Sequence, residues 1–183
     1  MVQLKFFGLG GQGIVTAAKV LSEAVSLIEG KYAITVPAYG HERRGAPVNT
    51  SIVVDDTPIL QNCFVYEPDI VLVMDSSVLD KGVDVASGIH SESVLVLNAC
   101  GEETVNRYRN MGFKHIFYAD GTAMALAETG MSIPNAAMLG VLAKTGMVKI
   151  ESVEQAIEDT FGIKAGAVNA KAARRSYDET KCI

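Results

Sequence analysis

Short, mostly apolar runs alternate along this chain with longer stretches in which apolar residues recur every three or four positions. Leu4 to Phe7, Ile70 to Met74, Ser93 to Leu97 and His115 to Ala119 are of the first kind and predict strands. The second and third of these read as buried on both faces. Ile14, Val15, Ala18, Leu21, Val25 and Ile28 place one apolar stripe on a helix that Gly30 ends. Tyr32 to Val36 predicts another strand, cut off by Pro37, which has no N–H to give a ladder. Val48, Thr50, Ile52 and Val54 alternate with Asn49, Ser51 and Val53, the pattern of a half-buried strand. Asp55-Asp56-Thr57-Pro58 then reads as a turn into a short return strand at Ile59-Leu60.

Further on, Asp75-Ser76-Ser77 predicts the cap of a short helix, and Glu102 to Met111 a polar helix stopped by Gly112. Asp120 caps a helix through Glu128 that Gly130 closes, and Pro134 opens one that runs through Lys144. Two last helices fall at about Val153 to Phe161 and Ala167 to Thr180. Strands and helices alternating, with helices finishing the chain, predict a Rossmann-like three-layer α/β/α domain. The antiparallel signal at residues 48–60 makes the expected sheet mixed, though largely parallel. No repeat or linker interrupts it, so residues 1–183 are expected to form a single domain.

Composition narrows the function classes. Hydrophobic residues make up 49% and charged ones 20%, an ordinary globular balance. A net charge of -5 leaves no basic field for nucleic acid. Cys63, Cys100 and Cys182 are far apart, without the clustering that iron–sulfur or structural zinc sites need. Such sparse thiols fit a reducing cytoplasm. The N-terminus runs straight into strand and glycine turn, so no signal peptide is expected, and no apolar segment reaches a membrane span of about 20 residues. The expectation is a soluble cytoplasmic protein that contacts neither nucleic acid nor membrane.

Candidate chemistry sits in two loops. Gly8-Leu9-Gly10-Gly11-Gln12-Gly13 joins a strand to a helix N-terminus, where free amides and the helix dipole favour an anion. Its G-x-G-x-x-G spacing also fits a dinucleotide turn. That site wants a carboxylate at the end of the second strand, and Ile34-Thr35-Val36-Pro37-Ala38 has none; Glu29 precedes the strand. The second loop, Tyr39-Gly40-His41-Glu42-Arg43-Arg44-Gly45-Ala46-Pro47, offers two arginines for bidentate contact with phosphate or carboxylate and an aromatic face. The plainer alternative is that Glu42 pairs with an arginine and pins a surface loop. In a doubly wound sheet both loops belong at the carboxyl edge. No catalytic residue stands out. Ser76-Ser77 reads as part of a cap, and His41, His90 and His115 lack a paired nucleophile.

With both loops in view, the sequence resembles the gamma subunits of 2-oxoacid:ferredoxin oxidoreductases of the pyruvate and 2-ketoisovalerate type. The resemblance rests on Gly8 to Gly13 with Val15-Thr16-Ala17-Ala18, and on Tyr39 to Val48. It extends to Tyr66-Glu67-Pro68-Asp69, Pro134-Asn135 and Asn169-Ala170-Lys171-Ala172. It implies a subunit, not a free-standing enzyme. Alpha, beta and delta-type partners would carry thiamine diphosphate, Mg2+ and [4Fe–4S] clusters, with ferredoxin as electron acceptor and CoA as co-substrate. It further implies that this chain borders the CoA cleft through Gly10, Gly11, Gln12, Gly13, Thr16, Tyr39, Glu42, Arg43, Arg44 and Gly45, and binds no metal or other cofactor alone. An independent NAD(P)-binding oxidoreductase and a purely structural assembly subunit are the rival readings.

Overall fold

The computed structural model describes residues 1–38 and 44–183. Seven strands form one mixed sheet in the order β2-β3-β1-β4-β5-β6-β7. They are β1 (Val2–Leu9), β2 (Tyr32–Pro37), β3 (Pro47–Asp55), β4 (Ile70–Val73), β5 (Val94–Asn98), β6 (His115–Ala119) and β7 (Lys181–Cys182). The centre β1-β4-β5-β6 is parallel. β3 runs antiparallel to both β1 and β2, and β7 antiparallel to β6.

Side-chain alternation sorts the apolar residues into two layers. Leu4, Phe6, Ile52, Val54, Ile70, Leu72 and Val96 face a thick helical layer. That layer holds α1 (Ile14–Glu23, continued as a π-helical turn Ala24–Ile28), α3 (Gly121–Thr129), α4 (Asn135–Ala143) and α5 (Ile150–Glu179). Phe7, Val71, Val73, Leu95 and Leu97 face the other way, onto Val78, Val105 and Tyr108. The layer there is thin: a 3-10 turn (Ser76–Lys81) and α2 (Glu102–Asn106). α5 is two helices joined at Gly162, whose φ of 75° and ψ of 175° no helix permits, as the two separate apolar patterns predict. None of the described helices is long and apolar enough to cross a membrane.

Four local expectations fail for identifiable reasons. Ile59-Leu60 forms no return strand, because β3 already has a neighbour on each side; Leu60 is 93% exposed. Nor is β3 half-buried: Thr50 to Val54 are buried without a break, Ile52 and Val54 under the helices and Ser51 under Val65, whose N–H donates to the Ser51 hydroxyl at 3.0 Å. α2 ends at Asn106, short of Met111, since so short a polar helix depends on tertiary anchors. The buried Tyr108 provides one by donating to the Ser76 carbonyl at 3.1 Å. β7 was not expected at all; its two residues close the far edge of the sheet.

The helical layer is built for close approach. α4 is buried along its whole length, and at Gly140 a Cβ would collide with the Ala173 carbonyl of α5. Gly140→Ala should therefore cost about 1–3 kcal/mol through overpacking. Urea unfolding should show a lower midpoint with an unchanged slope, whereas Gly146→Ala, in open space at positive φ, should lose less.

Candidate functional site

The two loops meet, although β2 is not the neighbour of β1. β3 begins at Pro47, directly opposite Leu9, so the second loop returns beside the first. Two backbone hydrogen bonds join them: Gly10 N–H donates to the Ala46 carbonyl at 2.8 Å, and Gly45 N–H to the Gly10 carbonyl at 3.1 Å. Between them lies a cleft of about 520 Å³ lined by Leu9, Gly10, Gly11, Gly13, Ile14, Val15, Thr16, Pro37, Ala38, Arg44, Val48 and Asn49. The first ladder bond of α1 runs from Ala17 N–H to the Gly13 carbonyl at 2.8 Å. The amides of Ile14, Val15 and Thr16 therefore precede the ladder, at the positive end of the helix. Arg44 lies across from them, its Cγ 3.7 Å from where a Gly11 Cβ would stand.

The glycines divide by role. Gly13, the N-cap of α1, has φ 76°, and a Cβ there would lie 2.5 Å from Asn135 Nδ2. Gly8 leaves room for Ile14 and Gln12 inside the fold. Gly10 and Gly11 line the open side. Of the remaining candidates, Thr16 and Arg44 line the cleft, and Gly45 ties the loops together. Tyr39, Glu42 and Arg43 fall outside the described residues.

Gln12 is turned elsewhere. Its Oε1 accepts from Leu9 N–H at 2.9 Å and its Nε2 donates to Asp75 Oδ2 at 2.5 Å. Asp75 also accepts from the amide and hydroxyl of Ser77, capping the 3-10 turn as expected. This bridge spans the carboxyl ends of β1 and β4, the point where the connections depart to opposite faces and where a dinucleotide normally sits. Burial pushes the Asp75 carboxyl up, but the Ser77 and Gln12 hydrogen bonds outweigh it and hold the group below its usual range. β2 ends in Pro37 and is followed by Ala38, neither of them a carboxylate, and Glu29 accepts from Lys149 N–H at 2.8 Å beyond the strand's other end. Among the described residues, the nicotinamide reading thus lacks both its acidic residue and its crevice.

Three features escaped the sequence. Asn49 and Val48 wall the cleft, but which end of their strand faces it depends on pairing. Asn135 backs Gly13 from the start of α4, a contact across the fold that no local signal carries. The Gln12–Asp75 bridge joins positions 63 residues apart. Among the described residues, no three His, Cys, Asp or Glu side chains converge.

Comparison with known proteins places the chain. The profile of the pyruvate ferredoxin/flavodoxin oxidoreductase family matches residues 3–179. The pyruvate/ketoisovalerate oxidoreductases common subunit gamma of Pyrococcus furiosus is 45% identical, over 99% of this chain and 98% of its own length. The pyruvate synthase subunit PorC of Methanocaldococcus jannaschii is 43% identical, over 98% of this chain and 97% of its own. The crystal structure of pyruvate oxidoreductase subunit PORC from Thermotoga maritima superposes with a TM-score of 0.83 at 33% identity, covering 99% of this chain and 97% of that one. The chain belongs to the pyruvate ferredoxin/flavodoxin oxidoreductase family, and its relatives are gamma-type subunits of such enzymes.

Asp75 gives this geometry a pH signature. A carboxyl depressed in the folded state contributes stability above its unfolded pKa of about 3.9 and loses it as pH falls through the lower folded value. Asp75→Ala removes the cap and the Gln12 anchor, an expected loss of about 1–2 kcal/mol at pH 7. In urea unfolding followed from pH 7 downward, the gap between variant and wild type should narrow below about pH 4.

Proposed function

We propose that this chain acts as the gamma subunit of a cytoplasmic 2-oxoacid:ferredoxin oxidoreductase, as one domain spanning residues 1–183. The observation that carries the reading is the meeting of the glycine turn and Arg44 across a cleft at a helix N-terminus. Within that enzyme, oxidative decarboxylation of a 2-oxoacid such as pyruvate yields an acyl-CoA, CO2 and reduced ferredoxin. Thiamine diphosphate, Mg2+ and [4Fe–4S] clusters belong on alpha, beta and delta-type partners, which supply the carbon–carbon cleavage and the electron path.

The contribution of this chain is positional. Arg44 meets a phosphate of CoA, and the amides of Ile14 to Thr16 face the same negative charge. Ile14, Val15, Pro37 and Val48 give the uncharged part of the ligand an apolar wall. Tyr39, Glu42, Arg43 and Gly45, which share the sequence motif of Arg44, are assigned to the same ligand. Holding CoA here lowers the entropic cost of bringing its thiol to an intermediate on the neighbouring chain.

Arg44→Ala in the fully assembled oxidoreductase tests this. Loss of a charge-assisted contact worth about 1.5–3 kcal/mol should raise the KM for CoA about 10- to 100-fold, with assembly and the KM for the 2-oxoacid unchanged. An assembled variant enzyme with unaltered CoA dependence would remove CoA from this cleft. It would leave the purely structural assembly role.

A further inference from the structure

The two edges of the sheet are unlike. β7 is two residues long, carries Lys181, and lies against β6, where Ile183 and Ile116 exchange both backbone bonds. β2 is six residues, Tyr-Ala-Ile-Thr-Val-Pro, with no charge, and among the described residues no strand pairs with its outer side. Long uncharged edges aggregate unless covered.

The direction of each backbone group follows from the register. Ala38 N–H donates inward to the Asn49 carbonyl at 3.1 Å, so even-numbered positions point toward β3. Ala33 and Thr35 therefore aim both N–H and C=O outward. Just beyond them the ladder stops at each end. Pro37 has no N–H, and Lys31 N–H is already donated to the Val25 carbonyl at 3.0 Å. The strand offers a short, bounded set of donors and acceptors, symmetric about Ile34.

We propose that β2 pairs with β2 of a second copy of this chain, antiparallel about a two-fold axis at Ile34. Ala33 of each copy exchanges both backbone bonds with Thr35 of the other, which uses every outward N–H the strand has. Side chains fit the same register. The 2.6 Å contact between Thr35 and Ser22 sets odd positions against α1, so Tyr32, Ile34 and Val36 share the opposite face. There Ile34 meets its own copy and Tyr32 meets Val36, an isoleucine pair and two aromatic–β-branched pairs.

On the α1 side, a groove lined by Val15, Leu27, Ala33, Thr35 and Pro37 opens toward the same edge. Its only charged lining residues, Lys19 and Glu23, neutralise each other at 3.6 Å. Leu27 is 79% exposed, Val15 40% and Tyr32 45%. An apolar surface on both sides of an uncharged edge is what a self-complementary interface requires.

Sedimentation and disulfide trapping test the pairing in the full-length chain with Cys63, Cys100 and Cys182 replaced by serine. The expected result is a reversible dimer that Ile34→Lys converts to monomer with an unaltered circular dichroism spectrum and a thermal unfolding midpoint that no longer rises with protein concentration. In the same background, Ile34→Cys alone should oxidise to a disulfide dimer, because the paired Cα atoms stand about 4.5 Å apart. Val36→Cys alone should not, but should cross-link when mixed with Tyr32→Cys. A monomeric parent chain, a dimer that survives Ile34→Lys, or cross-linking indifferent to register would each overturn the proposal. So would a photo-reactive residue at position 34 that, in the assembled oxidoreductase, captures a different subunit and no second copy.

Discussion

β3 runs backwards between β1 and β2, and the arrangement around the cleft depends on that reversal. In an ordinary doubly wound sheet, the helix after the first strand would deliver the second strand beside it. Here α1 passes over β3 and delivers β2 one position further out. The chain then turns and comes back against β1, with Pro47 opposite Leu9. The backbone bonds between Gly10 and residues 45 and 46 follow from this return, and so does a cleft walled by three strand ends.

The same reversal explains why a glycine-turn spacing can be satisfied without its usual ligand. Gly8 and Gly13 are needed for contacts inside the fold, with Ile14 and Asn135 respectively. Neither contact involves a pyrophosphate. The residue between Gly11 and Gly13 then decides which side of β1 stays open. Gln12 reaches Asp75 and fills the β1–β4 side, which leaves the β1–β3 side to receive a ligand. Spacing reports backbone geometry; the identity of Gln12 reports where the opening lies.

Much of this was legible in the sequence, for local reasons. The parallel strands, the helix caps at Asp75 and Asp120 and the breaks at Gly30, Gly130 and Gly162 each follow from signals within a few residues. Strand pairing was not legible, because the apolar pattern at Val48 to Val54 reports which faces are covered and carries no record of the edge partners. The reading of a hairpin with Ile59-Leu60 took the nearer partner, while β3 takes two that are more distant in sequence. Gln12 shows the same limit at the site. Its place in the glycine motif was visible, but its hydrogen bond to Asp75, 63 residues away, was not.

β2 links the cleft to the sheet edge. Its inner side is fixed by the ladder to β3, and its last residue, Pro37, with Ala38 after it, forms part of the cleft wall. A strand bonded on one side only opens locally at lower cost than one held on both. Bonds at Ala33 and Thr35 to another strand would therefore stiffen the segment that ends in Pro37 and Ala38. The described chain resumes at Arg44, Gly45 and Ala46, which meet the glycine turn and the cleft. Pairing at the edge and the shape of the cleft are thus two properties of one strand. Assembly at β2 would order the wall before any ligand meets it, lowering the conformational cost of binding without adding a contact to the ligand.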